Sequence, residues 1–309
     1  MERLIDFYNI SMKKLSSKDK WVVLQQHNIW IQDLINKNNL ENELKNFGES
    51  IITRHIDCEY YHYLKVNKPD IYKNSLQHHK KVYQQLVSND LTGISIPNKF
   101  KITGFELDNN NIIPHTGYRI GYYKHRIDSV KIKNKRNIYL EIGGGFGLLA
   151  YWQTKDRNSC YIIVDIPNVG ILSGYFLMSL GLKVCFYGEY DTFNQELVDN
   201  YDIIIIPPNE IEKIPQSLCD FVINTASFTE MTEEYIIYYI KEINRIQPKY
   251  LYVVGRDKTQ NASILHDALN RLLVGYTRCF KNATPIVYDI PTLGYGNSYF
   301  EEHMYKISD

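Results

Sequence analysis

Apolar positions along this chain follow two different periods. From Lys18 to Phe47, the residues Trp21, Leu24, Trp30, Ile31, Leu34 and Ile35 recur at helical spacing, and Tyr72 to Leu86 repeats that pattern. Lys68-Pro69-Asp70 breaks the run between them, so residues 1 to about 90 read as helical. Leu91 to His115 reads as short extended pieces, GISIP and KFKITGFEL, followed by the turn-rich DNNN. From Asn137 the texture alternates. Apolar runs at Ile138–Ile142, Tyr161–Val164, Val184–Tyr187, Ile203–Ile206, Phe221–Ile223 and Tyr250–Val254 predict strands. Amphipathic stretches at Leu148–Thr154, Val169–Leu180, Glu233–Ile246 and Ala262–Val274 predict helices between them. Near-continuous apolar strands alternating with helices imply an α/β fold, a parallel sheet with helices on both faces. Beyond Tyr276, TRCF and PIVYDI are candidates for closing edge strands. The expected organisation is a mainly helical N-terminal region over residues 1–115, serving as substrate cover or oligomerisation surface, and an α/β domain over residues 116–309.

Composition narrows the class. The chain has 309 residues, 44% of them hydrophobic, enough for one large domain or a medium domain with a smaller one. Lys+Arg and Asp+Glu both number 35, so no net field steers the protein to nucleic acid or an anionic membrane. The 26 tyrosines, with abundant Asn, Ile and Lys, fit a chain encoded by AT-rich DNA. Five scattered cysteines (Cys58, Cys160, Cys185, Cys219 and Cys279) form no C-x-x-C pair and read as free thiols of a reducing compartment. Of these, Cys185, Cys219 and Cys279 lie in or beside runs that read as buried strands. The opening MERLIDFYNISMKKLSSKDK has no apolar signal core, and no apolar run approaches the roughly 18 residues of a membrane span. A cytoplasmic protein is the expectation.

The stretch NIYLEIGGGFGLLAYW, Asn137 to Trp152, carries the chemistry. A strand running into glycines and then a helix stands where ligands bind open parallel sheets, beyond the strand carboxyl ends. Glycine allows positive φ and lets a ligand approach main-chain atoms. The spacing Gly143-x-Gly145-x-Gly147 leaves Leu148 where a dinucleotide fingerprint wants glycine or alanine, and no Gly-Lys-Ser/Thr of a Walker loop follows. Glu141-x-Gly-x-Gly-x-Gly resembles instead the motif of class I S-adenosyl-L-methionine (SAM) methyltransferases. In YIIVDIP, Asp165 ends the next strand 24 residues after Glu141, where a carboxylate can accept both ribose hydroxyls.

A closer resemblance follows from YIIVDIPNVGILSGYFLMSLGLKV, with its D-x-P and terminal Leu-Gly, together with EIGGGFG, the Ser227-Phe228-Thr229-Glu230-Met231 segment and the aromatic lead-in TGYRIGYYKHRIDS. Over about Thr116 to Gly255 the chain is similar to a family of sugar O-methyltransferases found with bacterial polysaccharide genes. The resemblance implies a Rossmann-like methyltransferase sheet, SAM as cofactor with S-adenosyl-L-homocysteine as product, and a sugar or glycan hydroxyl as acceptor.

It also implies roles. Glu141, Gly143 and Gly145 would face the methionine part and ribose, Asp165 the ribose and Ile166 the adenine. Pro207, Pro208 and Asn209 are preferred over Gly188–Glu189 as the loop framing the adenine, because IIIIP is the better buried strand. Asn224 would point to the methionine moiety, with Tyr123, Tyr122 or Arg119 over its carboxylate. Candidate bases are Glu230, His303 and His115, and candidate acceptor contacts are Ser227, Asp257 and Arg119. The pair His78-His79 reads as a solvated helix face. No clustered ligand set is readable, so no metal is expected. Nucleic acid is disfavoured, since Asn224-Thr225-Ala226-Ser227 replaces a base-flipping Asn-Pro-Pro-Tyr motif. The alternatives are a different small-molecule acceptor, or a non-catalytic SAM-binding protein whose helical N-terminus drives a homodimer.

Overall fold

The fold was obtained as a computed structural model, which describes residues 1–14, 24–49, 59–256, 260–284 and 300–308. The N-terminal part contains α1 (Glu2–Lys14), α2 (Leu24–Asn36), α3 (Leu40–Lys45), α4 (Glu59–Asn67) and α5 (Pro69–Leu86). Pro69 occupies the first helical position of α5, where its missing N–H costs nothing and its fixed φ suits a helix. Trp21 lies outside the described residues. On α5, His78 is exposed but His79 is buried, so only the first belongs to the solvated face expected for both.

Strands β1 (Ile96–Pro97), β2 (Gly104–Glu106) and β3 (Asn111–Pro114) form a small antiparallel sheet with β3 in the middle. Helix α6 (Gly117–Asp128) then leads into the main sheet. Its strands are β4 (Asn137–Ile142), β5 (Ser159–Val164), β6 (Val184–Phe186), β7 (Ile203–Ile206), β8 (Phe221–Thr225), β9 (Tyr250–Arg256), β10 (Tyr276–Ala283) and β11 (Phe300–Ile307). The spatial order is β10-β11-β9-β8-β4-β5-β7-β6, with β4 to β9 parallel and β10 and β11 antiparallel.

The connecting helices are α7 (Leu148–Thr154), α8 (Pro167–Ser179), α9 (Gln195–Asn200), α10 (Glu233–Ile246) and α11 (Gln260–Leu272). From β4 the chain steps to β5 in one direction, and from β8 to β9 in the other. Right-handed crossovers therefore put α7 and α10 on opposite faces of the sheet. The direction reverses between β4 and β8, which creates a switch point at their carboxyl ends.

The two regions share one continuous core. Helix α1 lies on α8 because α8 is nearly smooth there. A Cβ on Gly170 would sit 2.6 Å from Phe7 Cε1, and one on Gly174 would sit 2.9 Å from Leu4 Cδ2. Phe7 is 1% exposed, and burying such a ring contributes about 2–3 kcal/mol. Across the sheet, Tyr139 stacks on Tyr161 and Phe221, and Phe221 on Tyr250, at centroid separations of 5.6, 5.0 and 5.3 Å. These four aromatics are register neighbours on consecutive strands, so part of the tyrosine abundance is spent on a transverse ring ladder.

Cys160, Cys185 and Cys219 are buried free thiols, whereas Cys279 is exposed. Its burial in a strand was the wrong expectation, because β10 is the outermost strand of the sheet. Cys58 and PIVYDI lie outside the described residues. No helix among those residues is long and apolar enough to cross a membrane.

Candidate functional site

The glycine segment leaves β4 at the switch point, and its four glycines do different things. Gly143 extends the ladder by one bond, its N–H donating to Val164 O at 2.8 Å. It also has φ +78°, and a Cβ there would lie 2.2 Å from Ser227 Oγ. Glycine is thus demanded at 143 by the protein's own packing. Gly144 is hemmed by Ile163 and Glu141. Gly147, at φ +90°, starts α7 against Leu177. Of the four, Gly145 alone combines positive φ (+55°) with open space where a Cβ would stand, so the loop backbone is bare there.

Asp165 leaves β5 beside this loop. Its Oδ2 accepts the Gly145 N–H at 3.0 Å and its Oδ1 accepts the Ile166 N–H at 2.8 Å. Asp165 is 4% exposed. Burial pushes its pKa up to about 7, against the pull of those backbone donors, and Glu230 adds to the rise by repulsion. Glu141 is also buried, its Oε2 accepting from Tyr161 Oη at 2.8 Å and its Oε1 from Thr225 Oγ1 at 3.0 Å. Burial lifts it to about 7 despite both bonds, with Asp165 contributing. Among the described residues neither acid makes an ion pair. Glu230, on the short turn Ser227–Glu230 after β8, is exposed and close enough to Asp165 to act on it. Three carboxylates, two buried and one exposed, therefore gather at the switch point.

The loop after β8 is braced from within. Asn224 Nδ2 donates to Ile142 O at 2.8 Å and to Ser227 Oγ at 2.5 Å, and Asn224 Oδ1 accepts the Phe228 N–H at 3.1 Å. Ser227 Oγ in turn donates to Ile142 O at 2.8 Å. These two polar side chains lock β8 to the glycine loop, with the intervening Ala226 held at φ +82°. Asn224 ends one residue short of the strand's last residue, Thr225.

On the other flank, β7 rather than β6 is the neighbour of β5, and Asp165 N–H donates to Ile206 O at 3.2 Å. Pro207, Pro208 and Asn209 thus emerge beside Asp165 and Ile166. Asn209 Nδ2 donates to Lys14 O at 2.8 Å, which brings the end of α1 to the same rim. Gly188–Glu189 emerges one strand farther out, where Glu189 is held by Arg3 at 2.5 Å.

Several expected residues are placed elsewhere. Helix α6 packs on β9 and β11. Tyr122 Oη and Tyr252 Oη each donate to the buried Glu302 at 2.7 Å, and Arg126 Nε lies 3.4 Å from that carboxylate. Tyr123 packs edge-on against Tyr252, and Arg119 lies over the Phe300 ring at 5.8 Å. His115 is buried with Nδ1 3.2 Å from Thr103 Oγ1, at the seam between the small sheet and α6. His303, on β11, is 2% exposed and packs on His266, Glu301 and Tyr305. Burial, helped by His266, Lys281 and Arg278, pushes His303 down to about 3. Asp257 lies outside the described residues.

Tyr161 and Thr225, which hold Glu141, were not anticipated. Their signal was a polar group inside an apolar strand, YIIV and FVINT. Only the parallel register, with Glu141 opposite Ile163 and Ile223, places both beside the acid.

No protein-family model and no curated protein matches this chain. Solved structures of similar layout include a Galdieria sulphuraria protein assigned as a sarcosine dimethylglycine methyltransferase (10% identity, TM-score 0.46, covering 76% of this chain and 99% of that one). Magnesium protoporphyrin IX methyltransferase from Synechocystis PCC 6803 with bound SAM is 12% identical, with TM-score 0.42 over 62% of this chain and 78% of that one. TrmK from M. capricolum, in complex with S-adenosyl-homocysteine, is 13% identical, with TM-score 0.39 over 61% and 70%. At such identities and scores none of the three assigns an activity to this chain.

Proposed function

We propose that the chain is a SAM-dependent O-methyltransferase acting on a hydroxyl of a sugar or glycan. The observation that carries the reading is buried Asp165 bonded to the open backbone of Gly145, with buried Glu141 against the adjacent Gly144. Burial disfavours the charge on both carboxylates, and a bound cation offsets that cost, so the pair favours a cationic, hydroxyl-bearing ligand over the pyrophosphate of a dinucleotide. SAM has two positive centres, a ribose diol and no phosphate, so the residues present fit it.

In this reading Asp165 accepts the ribose hydroxyls with the lone pairs its backbone donors leave free. Ile166 and Pro207–Asn209 flank the adenine, and Glu141, steadied by Tyr161 and Thr225, offers negative potential to the ammonium group. The bound cofactor supplies a methyl group on a positively charged sulfur. Ser227 and Asn224 hold the loop that carries Glu230. Glu230 takes the proton of the acceptor hydroxyl or orients it, a contribution of about 10²–10⁴-fold in rate. The sugar as acceptor rests on the resemblance of EIGGGFG, the D-x-P segment and SFTEM to that family.

The test is calorimetric titration of SAM and of NAD into the purified protein and into Asp165→Ala, followed by a radiolabelled methyl-transfer screen over sugars and nucleotide sugars. SAM binding lost in the variant, no NAD signal and a labelled sugar support the reading. SAM binding without transfer to any acceptor favours a non-catalytic SAM-binding protein. NAD binding without SAM binding overturns both.

A further inference from the structure

Away from the switch point, the C-terminal strands assemble a second cluster of chemistry-bearing side chains. Glu301 and His303 alternate onto one face of β11, and His266 reaches them from α11. His266 Nε2 lies 3.1 Å from Glu301 Oε2, and His303 Nε2 lies 3.6 Å from the same oxygen. One ligating atom from each residue falls within 4.8 Å of the other two. Ligands at about 2.0–2.1 Å from a tetrahedral Zn²⁺ stand about 3.3 Å from one another, so the two short separations bracket the value that metal needs.

Two further features point to a cation. Both ring nitrogens of His303 are buried without a hydrogen-bond partner among the described residues, a costly state for an imidazole whose nitrogens are good ligands. The Glu301 carboxylate already attracts a positive group, since Lys281 Nζ lies 2.9 Å from Oε2. The Lys281 side chain is 44% exposed and can withdraw into solvent. His266 and Glu301 are 25% and 17% exposed, so among the described residues the cluster is not sealed from solvent.

We propose that His266, Glu301 and His303 bind a divalent transition-metal ion of the Zn²⁺ type. Two imidazoles and a carboxylate suit that class and not Mg²⁺ or Ca²⁺, which take oxygen ligands. The ion staples α11 to β11, the strand that lies between β9 and β10. Its role is thus to fix the C-terminal part of the sheet, independent of the cofactor reading.

The test uses the full chain freed of any purification tag and treated with a chelator, then titrated with Zn²⁺ and, separately, with Co²⁺. One equivalent of Zn²⁺, a raised Tm and the visible absorption of tetrahedral Co²⁺ are expected. His266→Ala, a change at a partly exposed helix position, lowers Zn²⁺ affinity by more than ~10²-fold, beyond the effect of losing an outer-shell partner. Lys281→Met tightens binding several-fold, and His78→Ala on the distant exposed histidine changes nothing. A folded wild-type chain that takes up no stoichiometric Zn²⁺, or a His266→Ala protein that binds it as tightly as wild type, overturns the proposal.

Discussion

The Gly145 amide donates to Asp165 Oδ2 across 3.0 Å, so the one glycine of the β4–α7 loop with open space above it is fastened to the acid that follows the next strand. Loop and carboxylate form one unit, and a ligand on either meets both.

That pairing separates two glycines that look alike in sequence. Gly143→Ala forces a Cβ to 2.2 Å from Ser227 Oγ at φ +78°, and it should lower stability by several kcal/mol in urea denaturation. Gly145→Ala meets nothing within 4 Å and carries only the strain of φ +55°, about 1–2 kcal/mol. Its Tm should fall modestly while SAM affinity, read by calorimetry, falls at least tenfold. Equal SAM affinity in Gly145→Ala and wild type would remove the ligand from this backbone.

The raised acids make the ligand-free protein sensitive to pH. Asp165 and Glu141 titrate near 7 when folded, against ordinary values of 3.8 and 4.5, so between those limits the folded chain holds protons the unfolded chain has released. Stability from this source is full below about pH 4 and is lost as pH climbs to 7. Asp165→Asn should flatten part of that slope and leave the variant more stable than wild type at pH 8, by on the order of 2 kcal/mol. Thermal unfolding at pH 5 and pH 8 reads the difference directly.

A cationic ligand should pull the same protons off. SAM titrations near pH 7 in buffers of different ionisation enthalpy should then report net proton release, and affinity should rise with pH from 6 to 8. Uptake of protons, or none, would mean that neither carboxylate faces the charge of the ligand.

Glu230 is the exposed member of the trio. Glu230→Gln should leave SAM affinity within a few-fold of wild type and reduce kcat by about 10²–10⁴-fold if the carboxylate handles the acceptor proton. An unchanged kcat would leave Glu230 only its electrostatic effect on Asp165.

Glu302 is a structural counterpart to these acids. It is fully buried and accepts from Tyr122 and Tyr252, with Arg126 alongside. Glu302→Ala strands those donors and should cost about 3–5 kcal/mol in denaturant unfolding, with little change in SAM affinity for whatever fraction stays folded.

Periodicity alone carried much of the architecture. Leu148–Thr154, Glu233–Ile246 and Ile203–Ile206 coincide with the observed elements, because a buried parallel strand and an amphipathic helix impose different local spacings. The glycine segment and Asp165 were legible for the same reason, each being a local break at a strand end. What no local pattern contains is which strands become neighbours. The insertion of β7 between β5 and β6 decides that Pro207–Asn209 flanks Asp165. The reversal at β4 and β8 commits Asn224 and Ser227 to bracing the loop. The antiparallel return of β11 brings His303 and Glu301 beside His266, which lies 37 and 35 positions before them in the chain, as a set that linear spacing could not reveal. Local chemistry is written in residue order, whereas convergence of distant side chains is set by strand pairing and crossover hand, which only the folded chain supplies.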